Sequence, residues 1–328
     1  MDETTTNPPL SSSSSFLLDC LPAFHDDLIE TSHDDDPSTE EGTKTSESNQ
    51  KKKKNIQGND DDEIRYDGRK PRWWKGLYGA YKLTPRQRQA YDEMLASHTI
   101  PTVSYGEFLN LPMIFPDHQE EVWLELGFGL GDNLLANAQR HPRTAMIGLE
   151  VHRPGVATTL KRIQDSIKTQ QYWEGYTLFS PTTKASDEIV AVTPDNPYSN
   201  VRVRCCDGVK NLYKFADSSL SMILITFPDP WPKDSHKKFR VVQRHSVRDF
   251  YRVLKPNGRF CLATDHSVFY EWSQDVLDQE SELFQPVELD RSYWLPVVSK
   301  YEQKGWDEGR TTSLACWEST KPKDNGES

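Results

Sequence analysis

Nine consecutive residues, Glu125-Leu126-Gly127-Phe128-Gly129-Leu130-Gly131-Asp132-Asn133, narrow what this chain can fold into more than any others. They leave a short apolar run, turn through glycines at alternate positions and enter a stretch of helical spacing. Glycine there lets the backbone turn tightly and come close to a ligand with no Cβ in the way. The rest of the chain has the alternation such a loop requires. β-rich runs at 122–126, 145–149, 201–205, 220–227 and 259–264 are interleaved with helical stretches at 132–140, 154–168, 245–254 and 267–278, and a last β-rich run, 311–317, closes the chain. Strands bounded by helices predict an α/β fold, a mostly parallel sheet covered on both faces, here with an antiparallel C-terminal strand. In such a sheet ligands bind beyond the carboxyl ends of the strands, near the point where strand order reverses. The polar, proline-bearing segment 173–200 interrupts the alternation and is expected to be a surface insertion.

Charge organises the remainder. The 328 residues carry a formal net charge of −11. Residues 1–64 hold 5 Lys and no Arg against 16 Asp plus Glu, whereas 65–328 hold 34 basic and 34 acidic residues and are neutral. The acidity is thus confined to a tail and does not argue against a polyanionic partner. That tail is Ser/Thr/Asp/Glu-rich and buries too little apolar surface to offset the entropy of ordering it, so disorder is expected over 1–64, and also over 321–328. Between them lie an extension, 65–120, packed on a catalytic domain, 121–320. The tail's Phe16, Leu18, Leu21 and Phe24 are either a docking segment or chance apolar residues, and the Lys51 to Lys54 run is either an import signal or a solvated charge block.

The start of the chain lacks the basic flank and apolar core of a secretory signal and is too acidic for a transit peptide. No apolar run approaches the ~20 residues that span a bilayer. A soluble intracellular protein, in cytoplasm or nucleus and with no membrane partner, is expected. The five cysteines show no paired metal-ligand spacing, so no metal is expected, and three of them fall in strands as reduced core residues.

The cofactor follows from the strand ends. A dinucleotide loop wants glycine at the sixth position after Gly127 opens the motif, and that position is Asp132. Glu125, two residues before Gly127, instead suits a ligand with a cationic amine and a sulfonium. Glu150 ends the second strand, 23 positions beyond Gly127, where a carboxylate can accept both hydroxyls of a ribose. Asp207 follows the third strand, where an acid can accept from adenine's exocyclic amine or simply cap a helix. Three acids at three successive strand ends, with Gly127, Gly129 and Gly131, point to S-adenosylmethionine.

The substrate side follows the fourth strand: Phe227-Pro228-Asp229-Pro230-Trp231-Pro232-Lys233. Three prolines fix φ, so Asp229 stands on a stiff turn. Its carboxylate can accept donors from a base's Watson–Crick edge while Phe227 and Trp231 stack. Lys233, His236, Lys237, Lys238, Arg240, Arg244 and Arg248 crowd the same stretch. A second basic region, 65–88, has eight Lys plus Arg against Asp67, interleaved with Trp73, Trp74, Tyr78 and Tyr81. Basic side chains with aromatics are the footprint of RNA binding.

These residues resemble a known family. Leu124-Glu125-Leu126-Gly127-Phe128-Gly129, Gly148-Leu149-Glu150-Val151-His152-Arg153-Pro154-Gly155-Val156, Phe227 to Trp231, His236-Lys237-Lys238, Arg240-Val241-Val242-Gln243 and Ala263-Thr264-Asp265 look like bacterial-type tRNA (guanine-N7)-methyltransferases of the class I, Rossmann-like S-adenosylmethionine-dependent superfamily. The resemblance runs from about Leu83-Thr84-Pro85 to the last strand. It implies methyl transfer to N7 of a guanine in the tRNA variable loop. By it, Glu125, Glu150 and Asp207 hold the cofactor, Asp229 is the catalytic and cofactor-side acid, and Lys233 and Asp265 contact substrate. The family's late Thr-Lys-Phe-Glu substrate motif corresponds to Ser299-Lys300-Tyr301-Glu302. Two positions usually basic in its RNA-contact segment are Ser235 and Phe239 here. Relatives in many eukaryotes work with an accessory protein subunit, so the resemblance leaves open whether the chain acts alone.

Two rivals from other classes are discriminated by the same residues. A methyltransferase of the same fold acting on a small molecule or a protein need not carry a basic stretch beside the catalytic turn, whereas one acting on another RNA would. A non-catalytic RNA-binding subunit would be free to lose Glu150, Asp207 or the glycines, and all are present.

Overall fold

The computed structural model describes residues 82–104, 106–117, 121–169 and 196–323. The expectations for the tail at 1–64, for the basic aromatic stretch up to residue 81, for 173–195 and for 324–328 lie outside the described residues.

Seven strands form one sheet: β1 (Glu121–Leu126), β2 (Thr144–Glu150), β3 (Val201–Cys205), β4 (Leu220–Thr226), β5 (Leu254–Thr264), β6 (Phe284–Val287) and β7 (Ser313–Ser319). Their order across the sheet is β3-β2-β1-β4-β5-β7-β6. The first five run parallel, and β7 is antiparallel to both β5 and β6. Strand order runs outward from β1 in one direction and from β4 in the other, so the switch point lies between these two neighbours. The loops leaving β1 and β4 are the glycine loop and the Asp229 turn. Topology therefore brings together two motifs separated by about a hundred residues.

Period-2 alternation explains which side chains each strand buries. In β1, Val122, Leu124 and Leu126 enter one apolar cluster and Trp123 enters the cluster on the opposite face. Glu125 shares the face of Trp123, so the strand that builds the core also buries a carboxylate. Cys261 of β5 stands opposite Cys316 of β7. The four cysteines among the described residues are free thiols, and burial pushes Cys205 up to about 11 and Cys206 up to about 12, which keeps both protonated.

The helices are α1 (Pro85–His98), α2 (Leu111–Ile114), α3 (Asp132–Arg140), α4 (Arg153–Thr169), α5 (Arg244–Val253), α6 (Ser267–Asp278), α7 (Arg291–Trp294) and α8 (Lys300–Asp307). A capping box starts α1: the Thr84 hydroxyl accepts from the Gln87 amide at 3.3 Å, and the Gln87 side chain accepts from the Thr84 amide at 3.0 Å. The helix lies along α4, where Gln87 Nε2 donates to Thr158 Oγ1 at 3.0 Å and Arg153 sits over the Tyr91 ring.

Several expectations need correction. The end of the supposed surface insertion is anchored in the interior: Pro197, Tyr198 and Asn200 are buried, and Asn200 Nδ2 donates to the carbonyls of Ala138, His141 and Thr144 at 3.0–3.2 Å. Lys321, placed at the start of a disordered end, donates to the carbonyls of Arg252 and Leu254. Strand β6 and helices α1, α2, α7 and α8 were not among the elements expected from the sequence. β6 has four residues and includes Pro286, which lacks a ladder donor and is tolerated because the strand is at the sheet edge.

Candidate active site

All three glycines of the loop after β1 have positive φ, +77° at Gly127, +58° at Gly129 and +80° at Gly131. The loop is held from three sides. Gly127 N donates to Leu149 O at 2.7 Å, Gly129 N donates to Glu150 Oε2 at 2.7 Å, and α4 presses its own Gly155 against Gly129, where a Cβ would come within 2.2 Å of the Gly129 carbonyl oxygen. Glu150 also accepts from His152 N at 2.7 Å. It thus clamps the loop to the end of β2, and each of its oxygens keeps a second lone pair for a ligand hydroxyl.

Glu125 is 2% exposed. Its Oε1 accepts from Thr226 Oγ1 at 2.9 Å and from Asn133 Nδ2 at 3.4 Å. Its Oε2 and Asn133 Oδ1 are buried with no hydrogen-bond partner among the described residues. Burial pushes the Glu125 carboxyl up to about 7 against these hydrogen bonds, and the Asp132 and Glu150 carboxylates nearby add to the rise.

Asp207 is engaged locally, one residue before Gly208, the cap of the 3-10 turn Val209–Lys214 that follows. It accepts from Lys210 N at 3.2 Å, and its other oxygen is 3.4 Å from Lys210 Nζ.

The Asp229 turn is stiffer than its prolines require. Phe227 and Trp231, on either side of Asp229, have φ of +51° and +45°. Bulky residues in this region cost about 1–3 kcal/mol each and persist only where surroundings over-determine them. Here Phe227 N donates to Ala263 O of β5 at 2.8 Å, and Arg240 donates from Nε to Pro230 O at 3.0 Å and from Nη2 to Trp231 O at 3.3 Å. Asp229 itself is exposed at the apex.

The basic set divides. Lys233 and Lys238 are exposed, Lys237 pairs with Asp234 at 2.9 Å, and His236 packs edge-on to Trp231. Arg240, assigned to substrate from the sequence, is 2% exposed, with its guanidinium over Trp272. It reaches substrate only through the turn it holds. Arg244 and Arg248 share Glu280, which keeps that carboxyl below its ordinary range despite its burial.

Asp265, after β5, accepts from Arg310 Nε at 2.8 Å, and Gly305 of α8 abuts it so closely that a Cβ would lie 2.4 Å from Asp265 Oδ2. The four late motif residues separate into two roles. Ser299 caps α8 by accepting from Glu302 N at 3.2 Å. Glu302 is 0% exposed, takes Arg291 in a fork with both N···O distances at 2.7 Å, and accepts from Thr312 Oγ1 at 2.7 Å. Both serve the scaffold, which corrects their assignment to substrate. Lys300 is exposed at the helix start. Tyr301 turns its ring over the glycine loop, with Cε2 3.1 Å from where a Gly129 Cβ would be. Tyr301 is half-exposed, and its hydroxyl is held above its ordinary pKa by partial burial and by the charges of Glu150, Asp132 and Asp229.

A family model described as "Putative methyltransferase" matches residues 119–315. The tRNA (guanine-N(7)-)-methyltransferase of Cutibacterium acnes is 31% identical over 261 residues, 74% of this chain and 83% of the relative. That of Caulobacter vibrioides strain NA1000 / CB15N is 30% identical over 226 residues, 68% of this chain and 84% of the relative. The chain belongs to the tRNA (guanine-N(7)-)-methyltransferase family. A solved 16S rRNA methyltransferase, KamB, is similar at 11% identity and a TM-score of 0.44, over 69% of this chain and 99% of that one.

Methyltransferases of this family take S-adenosylmethionine, and the residues present fit it. A buried carboxylate oxygen without a partner beside a glycine whose Cβ would meet nothing within 4 Å is a cradle for a cationic amine approaching backbone. Glu125, Glu150 and the loop backbone would hold it, at the end of the strand next to β4, which the Asp229 turn follows. Two residues here escaped sequence reasoning: Asn133, whose unpartnered oxygen lies beside Glu125, and Gly155. A glycine directly after a proline at a helix start was the available signal for the second.

Proposed function

We propose that this methyltransferase transfers a methyl group from S-adenosylmethionine to N7 of a guanine in the tRNA variable loop. The observation that carries this reading is the Asp229 turn, strained at both flanks and leaving β4 next to β1, from which the glycine loop departs, with exposed Lys233 and Lys238 in the same stretch.

Bound S-adenosylmethionine supplies an electrophilic methyl group. The chain's own residues supply alignment. Guanine N7 already carries a lone pair, so no residue has to remove a proton first. Asp229 accepts from the donors of the Watson–Crick edge, which turns N7 toward the cofactor side, and its negative charge favours the cationic 7-methylguanine as it forms. Holding the partners in line is worth up to roughly 7–11 kcal/mol of the barrier. Lys233 and Lys238 take phosphate.

The test is incubation of the purified full chain with labelled S-adenosylmethionine and tRNA, followed by mapping of the modified nucleotide. Label at N7 of one variable-loop guanine is expected. Label on protein alone, or on another nucleotide, overturns the reading. Transfer without any added subunit shows that an accessory protein is dispensable, and transfer only after adding one shows the reverse. Asp229→Asn is expected to lose on the order of 100-fold in kcat; near-normal turnover would remove Asp229 from this role.

A further inference from the structure

Oε2 of Glu125 and Oδ1 of Asn133 are both buried with no hydrogen-bond partner among the described residues, and they belong to side chains that already touch. Asn133, the second residue of α3, is 3% exposed. Its Nδ2 donates to Glu125 Oε1 at 3.4 Å, and Thr226 Oγ1 donates to the same oxygen at 2.9 Å. The carboxyl is therefore used unevenly. One oxygen accepts twice, as the carbonyl of a neutral acid does, and the other accepts nothing. An amide and a neutral acid that meet through one N–H···O bond can close a ring with a second, from the acid hydroxyl to the amide oxygen. That second bond engages both orphaned oxygens at once. An ionised Glu125 leaves two buried acceptors side by side with no donor, which folded proteins avoid.

The surroundings favour the neutral acid. Burial raises the Glu125 carboxyl to about 7, Asp132 and Glu150 add to the rise, and the bonds from Thr226 and Asn133 oppose it. Asp132 is paired with Arg162 at 2.8 Å, and Glu150 accepts from two backbone amides, so neither acid brings a cation to Glu125.

We propose that Asn133 is a cofactor-binding residue: in the ligand-free protein its Oδ1 accepts the acid hydrogen of Glu125, and in the loaded protein it accepts one N–H of the cofactor's amine while Glu125 Oε2 accepts another. The inference rests on the cofactor that this family uses and not on which nucleotide is methylated. Two adjacent acceptors call for a group with at least two donors and no lone pair, and an ammonium has three donors and no acceptor. An α-amino group keeps its proton up to about pH 7.7–8.0, so at pH 6 the amine arrives as a cation. Glu125 then gives its hydrogen to solvent, its O–H being the one covalent bond that breaks, and Asn133 Oδ1 exchanges one donor for another. Asn133 thus keeps the acid neutral and satisfied before loading and selects an amine at loading.

Calorimetric titration of the full chain with S-adenosylhomocysteine, and with its analogue carrying hydrogen in place of the amine, compares the parent with Asn133→Leu, which keeps the bulk and loses the amide. Asn133→Leu should bind S-adenosylhomocysteine about 10- to 100-fold more weakly, the range for one hydrogen bond to a charged group. The parent should bind the analogue more weakly than S-adenosylhomocysteine, and Asn133→Leu should cost the analogue nothing further. Parent-like affinity in Asn133→Leu overturns the proposal, and so do equal losses for both ligands, which signal a displaced glycine loop. Infrared difference spectra of the parent at pH 6 test the free state without the variant. A protonated-carboxyl band should vanish on loading with S-adenosylhomocysteine and be missing from Glu125→Gln, and in Asn133→Leu it should move to the higher frequency of an acid that donates no hydrogen bond. A parent with no such band overturns the proposal. Failure of the parent to bind S-adenosylhomocysteine removes the cofactor site and the proposal together, whereas tight binding with an indifferent Asn133→Leu removes the proposal alone and leaves the methyl acceptor to the tRNA mapping.

Discussion

Arg240 Nε donates to the carbonyl oxygen of Pro230 at 3.0 Å, ten residues back along the chain. The bond turns a cation that the sequence places among RNA contacts into the strut of the catalytic turn. Proline has no amide hydrogen, so alternate positions around Asp229 lack a donor, and the guanidinium supplies donors from outside.

Arg240→Lys is accordingly expected to lose activity although charge is kept, because an ammonium cannot span two carbonyls in a fixed fork. A displacement of the turn by about 1 Å is worth on the order of 100-fold in rate. Steady-state kinetics should show the loss in kcat, and the salt dependence of tRNA affinity should match the parent. Lys233→Ala should do the opposite, lowering the salt slope by about one phosphate contact. A reduced slope in Arg240→Lys would return Arg240 to the RNA surface.

The raised carboxyl of Glu125 makes cofactor binding pH-dependent. Burial holds the proton on up to about pH 7, and a cationic amine requires the carboxylate, so binding below pH 7 must expel a proton. Affinity should rise about tenfold per pH unit from pH 5 toward 7 and then level. Calorimetry in buffers of different ionisation heat should report about one proton released per ligand at pH 6. Glu125→Gln should flatten the profile. The sign for stability of the ligand-free protein is the reverse: between 4.5 and about 7 the native state holds a proton that the unfolded chain has lost, so this group's contribution declines as pH rises. A pH-independent affinity in the parent would remove the amine from Glu125.

The Arg291–Glu302 pair is a matter of stability. With Glu302 buried and forked at 2.7 Å on both oxygens, Glu302→Gln removes the carboxylate from a buried ion pair, which costs about 3–5 kcal/mol. The unfolding free energy from denaturant titration should fall by that amount at 25 °C, and tRNA affinity measured where the variant is folded should be unchanged. Intact stability with lost tRNA affinity would place Glu302 in the substrate site after all.

Much of this was legible along the chain because it is local chemistry. Glycine at 127, 129 and 131 announces positive φ, strand alternation announces a doubly covered sheet, and an acid after a strand end announces a ligand-facing carboxylate. These are properties of a residue and its immediate neighbours, and the sheet order sets β1, which carries Glu125, between β2, which ends in Glu150, and β4, which leads into the Asp229 turn. What stayed hidden is the direction in which charged and aromatic side chains turn, since that depends on groups arriving from far along the chain. Arg240 points inward because Trp272 and two proline-freed carbonyls wait there, and Glu302 because Arg291 and Thr312 enclose it. Gly155 is required only because α4 packs onto the Gly129 carbonyl. Residue type tells a chain which torsions and charges it owns, but burial is assigned by packing, and packing is a property of the assembled sheet.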